Sequence, residues 1–82
     1  MNVSKEKFSK LLRDCAKAMD TEDQRRAKAE EPHWHAVAGS PTVKGEEICI
    51  KLARAAGMPE WGYIAYLLLA YTWNDALDWA QP

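Results

Sequence analysis

Basic side chains are missing from the last third of this 82-residue sequence, and cysteine is scarce throughout it. Residues 57–82 contain no Lys or Arg, although a helix that reads DNA needs cations on its surface. The formal net charge is −1, so the chain has no overall attraction to nucleic acid or anionic lipid. Two cysteines in the whole chain exclude a disulfide-rich secreted scaffold.

Long apolar segments and catalytic signatures are missing as well. The longest apolar run covers residues 63–71, well short of the ~20 residues that cross a bilayer. The first residues lack the apolar stretch of about 7–15 residues found in secretory signals, so we expect a cytoplasmic protein with reduced thiols. Neither a glycine-rich phosphate loop nor a nucleophile elbow occurs, and we expect no enzyme activity and no cofactor.

Length and composition predict one small folded domain over residues 1–82. The chain is shorter than the ~100–200 residues of a typical domain. Its apolar fraction of 48 % is high enough for a packed core and argues against disorder. A chain of this size buries only about 60–65 % of its unfolded surface, so a partner or a second copy that covered more would add stability.

Apolar periodicity predicts the first helix, over residues 3–30. Its stripe has the spacing of an amphipathic helix and consists of Phe8, Leu11, Leu12, Cys15 and Met19. Asn2 or Ser4 can cap its start. Residues 20–31 lack large apolar side chains but are good helix formers. The helix therefore either continues as a solvated extension or restarts at Thr21.

Proline and glycine mark the other boundaries. Pro32 ends the first helix and opens a loop over about residues 32–42, for which a hairpin over residues 34–43 is the alternative. Ser40 and Pro41 can start a second helix over residues 42–56. Its apolar stripe comprises Ile48, Leu52, Ala55 and Ala56, with Cys49 beside it. Gly57 is expected to end this helix in the left-handed conformation, and Pro59 can open the next.

The third predicted helix, over residues 59–80, is apolar on nearly every side. Such a helix is usually central and buried. The predicted fold is therefore an all-α bundle of three to four helices in which this C-terminal helix is central. Leu68 is expected to be a core residue. Asn74 is expected to mark a bend, with Thr72 or Asn74 as the cap of a final short helix through Asp78.

Residues 52–61 resemble the turn of a helix-turn-helix, with Ala53, then Gly57 four positions later, then the apolar Met58. The resemblance implies a DNA-binding regulator. However, the second helix offers Glu60 and Tyr63 where a base-reading helix carries Arg, Lys, Asn or Gln. An ordinary turn between two helices explains the same pattern.

Four side chains could supply zinc ligands: His33, His35, Cys15 and Cys49. Their spacing does not match the close pairs of structural zinc modules, so we expect no metal. Both cysteines lie along apolar stripes, which predicts buried and inert thiols. Asp75 and Asp78 stand three positions apart without an accompanying base, and we interpret them as solvated charges.

Aromatic side chains are unusually abundant in the last segment. Six of the seven Trp and Tyr residues fall within residues 61–79. Each ring buries about 150–250 Å², so we expect some to be exposed, and Trp and Tyr are enriched at protein interfaces. We therefore predict a small, non-enzymatic interaction module that binds a protein partner or a second copy of itself. The predicted contact residues are Trp73, Asp75, Asp78, Trp79 and Trp34.

Other interpretations remain open. Lys10, Arg13 and Lys17 on the first helix could form the contact surface instead, for an acidic partner. Size and composition are typical of the inhibitors that phages and mobile elements encode, such as host-takeover or anti-defence factors, which is an analogy and not a matched motif. A compact helix-turn-helix regulator and a helical subunit of a larger complex are the alternatives from other classes.

Overall fold

The computed structural model describes residues 4–31 and 43–81, and within them there is no strand. They form the helices α1 (Lys5–Lys28), α2 (Val43–Ala55) and α3 (Gly62–Ala80), with a 3₁₀ helix (Pro59–Trp61) leading into α3. The predicted all-α bundle is confirmed. His33, Trp34 and His35, the Ser40–Pro41 start signal and most of the alternative hairpin lie outside the described residues.

α1 is one continuous helix. The Ser4 side chain accepts a hydrogen bond from the backbone nitrogen of Lys7 at 3.2 Å, so Ser4 is the N-cap. All five residues of the predicted apolar stripe are buried. Beyond Met19 the helix runs on without a new start, because the Thr21 hydroxyl donates back to the Lys17 carbonyl at 3.0 Å instead of capping a second helix.

The end of α1 places a glutamate in the left-handed region, because Glu30 has φ 57°. Its backbone nitrogen donates to the Ala27 carbonyl at 3.2 Å, and that of Glu31 donates to the Arg26 carbonyl at 2.8 Å. These two bonds form a Schellman motif, in which the left-handed position is usually glycine. α1 therefore ends with backbone strain that a glycine would remove.

Glu30→Gly is expected to raise the free energy of unfolding by about 0.5–1 kcal/mol, because glycine adopts positive φ without a clash at Cβ. The matched control is Lys28→Gly, inside the last turn of α1. This change should lower the free energy of unfolding by about 1 kcal/mol. Urea unfolding of the two variants and the parent chain measures both effects. Equal losses in the two variants would contradict the left-handed conformation at Glu30.

α2 ends in the same motif, with glycine in its usual place. Gly57 has φ 74° and its nitrogen donates to the Arg54 carbonyl at 3.1 Å, while the nitrogen of Met58 donates to the Ala53 carbonyl at 2.8 Å. The Met58 side chain is buried, which supplies the apolar contact that accompanies the motif. The predicted left-handed end at Gly57 is confirmed, and Pro59 opens a 3₁₀ turn ahead of α3.

Small residues form the buried face of α2, which differs from the predicted stripe. Gly45, Cys49 and Ala53 are buried, whereas Ala55 and Ala56 are exposed. The predicted stripe therefore does not match the buried face of α2 at Ala55 and Ala56. Small side chains let two helices approach closely, and the distance between packed helices depends on the residues at their contact.

α3 is one of three mutually packed helices and is not buried all round. Its buried residues are Gly62, Ala65, Tyr66, Leu69, Ala76 and Ala80. The prediction of a core position at Leu68 is wrong, because Leu68 is 37 % exposed and the adjacent Leu69 is fully buried. In a three-helix bundle each helix is covered by two neighbours, so an apolar helix still turns one face to solvent.

α3 bends at Thr72, whose φ of −136° and ψ of 44° depart from helical values. The Thr72 hydroxyl donates to the Leu68 carbonyl at 2.7 Å. Such back-bonding from Thr often bends a helix. The bend was predicted at Asn74 and lies two residues earlier, at Thr72. The Thr72 hydroxyl bonds the preceding turn and does not cap a new helix, and the helix then continues to Ala80.

Candidate functional site

Five large apolar or aromatic side chains of α3 are substantially exposed, and besides Tyr63 and Tyr71 they are Ile64, Leu68 and Trp79. Ile64 is 41 % exposed, Leu68 is 37 % exposed and Trp79 is 45 % exposed. We refer to these three residues as the α3 strip. Ile64 and Leu68 are one helical turn apart and point to the same side. Exposed apolar side chains that lie together mark a surface for contact with another molecule more often than single ones do.

A groove of about 380 Å³ runs beside the α3 strip, between α1 and α3. Its lining consists of Phe8, Leu12, Leu68, Thr72, Asp75, Ala76 and Trp79. We call it the α1–α3 groove. The bend at Thr72 lies within it, and Phe8 and Leu12 form its wall on α1. Both belong to the buried core, so the groove opens directly onto the apolar interior of the bundle.

Trp79 stands at one end of the α1–α3 groove and is held there by α1. Its ring lies at 5.8 Å from the Phe8 ring, centroid to centroid and edge to face. The Lys5 ammonium lies 5.3 Å from the centroid of the Trp79 ring, within the range of a cation–π contact. Trp79 is therefore positioned by two contacts while nearly half of its surface remains available.

Acidic groups border the apolar surface. Asp75 lines the α1–α3 groove, and Asp78 is exposed one turn further along α3. Since α3 contains no Lys or Arg, its own side chains do not neutralise these carboxylates. A cationic group on a bound molecule would find acceptors at the rim of the groove.

The residues predicted as the contact surface do not all lie together. Asp75, Asp78 and Trp79 are exposed on the outer side of α3, whereas Trp73 is half-buried and packs against the core. Trp34 lies outside the described residues. The expectation that some aromatic rings would be exposed is confirmed, since Tyr63, Tyr71 and Trp79 are all exposed.

Sequence reasoning missed Ile64, Leu68 and the α1 wall of the groove as site residues. It assigned Leu68 to the core because α3 is apolar on nearly every side. A signal was present, since Ile64, Leu68, Asp75 and Trp79 share one face of an ideal helix with 3.6 residues per turn. Periodicity within one helix does not show which face its neighbours cover.

The alternative surface on α1 is partly occupied by contacts within the molecule. The Lys10 ammonium lies 2.7 Å from an Asp14 carboxylate oxygen in an exposed pair, a kind that adds little stability. Arg13 donates from Nη1 to the backbone carbonyl of Ala80, where a cation satisfies the end of α3. Lys17 is exposed. Arg13 thus has a structural contact of its own.

Both cysteines are fully buried, as their places on the apolar stripes predicted. No cluster of three or more His, Cys, Asp or Glu side chains suited to a metal ion occurs within residues 4–31 and 43–81. In that same part of the chain, no helix combines the length and the apolar character of a membrane span. The candidate site described by the residues above is the α3 strip together with the α1–α3 groove.

Comparison of the chain with known protein families, with curated proteins and with solved structures found no match.

Proposed function

We propose that this protein is a small, non-enzymatic interaction module that binds a protein partner through the α3 strip and the α1–α3 groove. The observation that supports this most directly is the exposure of Leu68 and Trp79 at the edges of a groove that opens onto the core. Covering such side chains removes apolar surface from water, which favours association. A Trp that is held in place but still exposed is a frequent centre of binding energy in interfaces.

The chemistry of the surface indicates what kind of segment would fit it. An amphipathic helix of the partner can place apolar side chains into a groove between two helices. A Lys or Arg beside those side chains would reach Asp75 and Asp78 at the rim. We therefore propose a partner segment that is apolar on one face and basic at its edge.

The proposal extends to where the protein acts and to what its binding does to the partner. We propose that the protein acts in the cytoplasm, and that it inhibits its partner in the manner of the small proteins that phages and mobile elements encode. Small size, near-neutral charge and the surplus of aromatic side chains support this by analogy. A second copy of the chain is the alternative partner.

Two variants of the surface test the proposal against a matched control. Leu68→Ser and Trp79→Ala remove apolar surface at the groove, and Tyr63→Ser removes an exposed ring about 140° around α3 from Leu68. Sedimentation first measures self-association of the parent chain. Capture from cell extract by the immobilised full chain, read by quantitative mass spectrometry, then measures binding of other proteins.

We expect each groove variant to lose at least about tenfold in binding, which corresponds to about 1.4 kcal/mol. The control Tyr63→Ser should bind as the parent chain does. All three variants should remain folded in thermal melts. Loss of binding in Lys17→Ala with retention in Leu68→Ser would move the contact surface to α1. Binding of mixed DNA fragments at low salt, with no protein captured, would instead favour the helix-turn-helix alternative.

A further inference from the structure

The contact between α1 and α2 contains a cluster of sulfur atoms. Cys15 and Met19 lie one turn apart on α1, Cys49 lies on α2, and all three side chains are fully buried. The Cys49 Sγ lies 3.7 Å from the Met19 Sδ. Long side chains on a helix lean back over the preceding turn, so the Met19 side chain that Cys49 contacts lies on the side of α1 that carries Cys15. Two free, buried cysteines from different helices therefore lie beside the same methionine in the core.

We propose that Cys15 and Cys49 are a disulfide site, which ties α1 to α2 when the chain folds in the presence of a small-molecule disulfide such as oxidised glutathione. A disulfide needs two Cβ atoms that approach closely on facing segments. Cys49 contacts Met19 across the contact between α1 and α2, and Cys15 lies one turn before Met19 on the same side of α1, so the two cysteines lie on facing segments. This inference is independent of the proposed binding function.

The bond would form by two exchange steps that balance. A thiolate of one cysteine attacks a sulfur of oxidised glutathione and releases one glutathione thiolate, leaving a mixed disulfide. The second cysteine thiolate then attacks the protein sulfur of that mixed disulfide and releases the other glutathione. In total two protein thiols are oxidised to one disulfide, and one oxidised glutathione is reduced to two molecules of glutathione.

The folded state opposes these steps once the thiols are enclosed. Interaction with the nearby Cys15 thiol and burial raise the pKa of the Cys49 thiol above its ordinary value. Because the thiolate is the nucleophile, we expect exchange to be slow in the native protein and fast during refolding. Whether Cys15 and Cys49 are two thiols or one disulfide is then decided while the core forms. The folded core preserves that state.

A disulfide here would constrain the unfolded chain strongly. The closed loop spans residues 15–49, which includes the whole connection between α1 and α2. Cross-links stabilise mainly by reducing the freedom of the unfolded state, more so for long loops. For a domain of this size we expect the melting temperature to rise by about 10 °C or more over the reduced form.

The test compares refolding of the full chain from denaturant in oxidised glutathione and in a reductant. We expect a monomer that has lost two hydrogens by mass in the first buffer, and a melting temperature higher than in the second. Native chain added to the same oxidised buffer should convert far more slowly. Cys15→Ala and Cys49→Ala should show no rise in melting temperature between the two buffers.

Three outcomes would overturn the proposal, and all can be read from the parent chain without the variants. The refolded monomer could keep both thiols, or carry glutathione on one or both of them. Refolding could instead give chiefly dimers joined by intermolecular disulfides. The monomer could also form the internal bond with a lower melting temperature, which would show that the cross-link distorts the contact between α1 and α2.

Discussion

Leu69→Ala is expected to lower the free energy of unfolding by about 2–5 kcal/mol, and Leu68→Ala by less than about 1 kcal/mol. The two residues are adjacent and chemically identical, yet Leu69 is fully buried and Leu68 is 37 % exposed. Truncating Leu69 removes contacts on all sides and leaves a cavity in the core. Since small domains have a total stability of only ~5–15 kcal/mol, Leu69→Ala can leave much of the chain unfolded.

Urea unfolding followed by circular dichroism measures this pair directly. The comparison cancels differences in helix propensity, because both positions lie in α3 and both change from Leu to Ala. If Leu68→Ala is as damaging as Leu69→Ala, α3 is rotated from the position described and Leu68 is a core residue. Small losses in both variants would instead place this part of α3 at the periphery of the bundle.

Gly62→Ala is expected to lower the free energy of unfolding by about 2–3 kcal/mol, although alanine is the better helix former by about 1 kcal/mol. A Cβ at Gly62 would lie 2.7 Å from the Ile50 Cα, 3.0 Å from the Cys49 carbonyl oxygen and 3.1 Å from the Ala53 Cβ. The first two atoms are backbone and do not move aside as a side chain does. α2 and α3 would have to separate at this close contact.

Gly57→Ala is the matched control for Gly62→Ala. A Cβ at Gly57 would meet nothing within 4 Å, but its φ is +74°. Its expected loss of about 1 kcal/mol therefore comes from the left-handed backbone alone. Thermal and urea unfolding should rank Gly62→Ala clearly below Gly57→Ala in stability. A neutral or stabilising effect at Gly62 would show that α2 and α3 do not approach this closely.

Features that depend on a few neighbouring residues could be predicted from the sequence. The Ser4 cap, the apolar stripe of α1 and the left-handed end at Gly57 are all local, and so is the bend of α3, which was predicted two residues too late. Each follows from a side chain that bonds the nearby backbone, from the spacing along one helix, or from the absence of a Cβ. The all-α class follows from these features, since every segment with clear periodicity has the helical repeat.

The candidate site could be predicted only in part, because it depends on which face of α3 its neighbours leave uncovered. Trp79, Asp75 and Asp78 were predicted as contact residues and are exposed on α3, and Trp73 was predicted with them but is half-buried. Leu68 was predicted to be buried and is exposed. α3 is apolar on most sides, so its own periodicity does not single out a buried face. The way in which α1 and α2 pack against α3 determines which of its faces is buried.

The amino-acid sequence by itself therefore determined the capped start of α1 and the left-handed end of α2 at Gly57, because both depend on local hydrogen bonds and backbone conformation. Only the tertiary structure decided that Leu69 is buried and Leu68 exposed, that Gly62 meets the backbone of α2, and that Cys49 contacts Met19. Those contacts join residues far apart in the chain, and they depend on the distance and rotation at which whole helices pack.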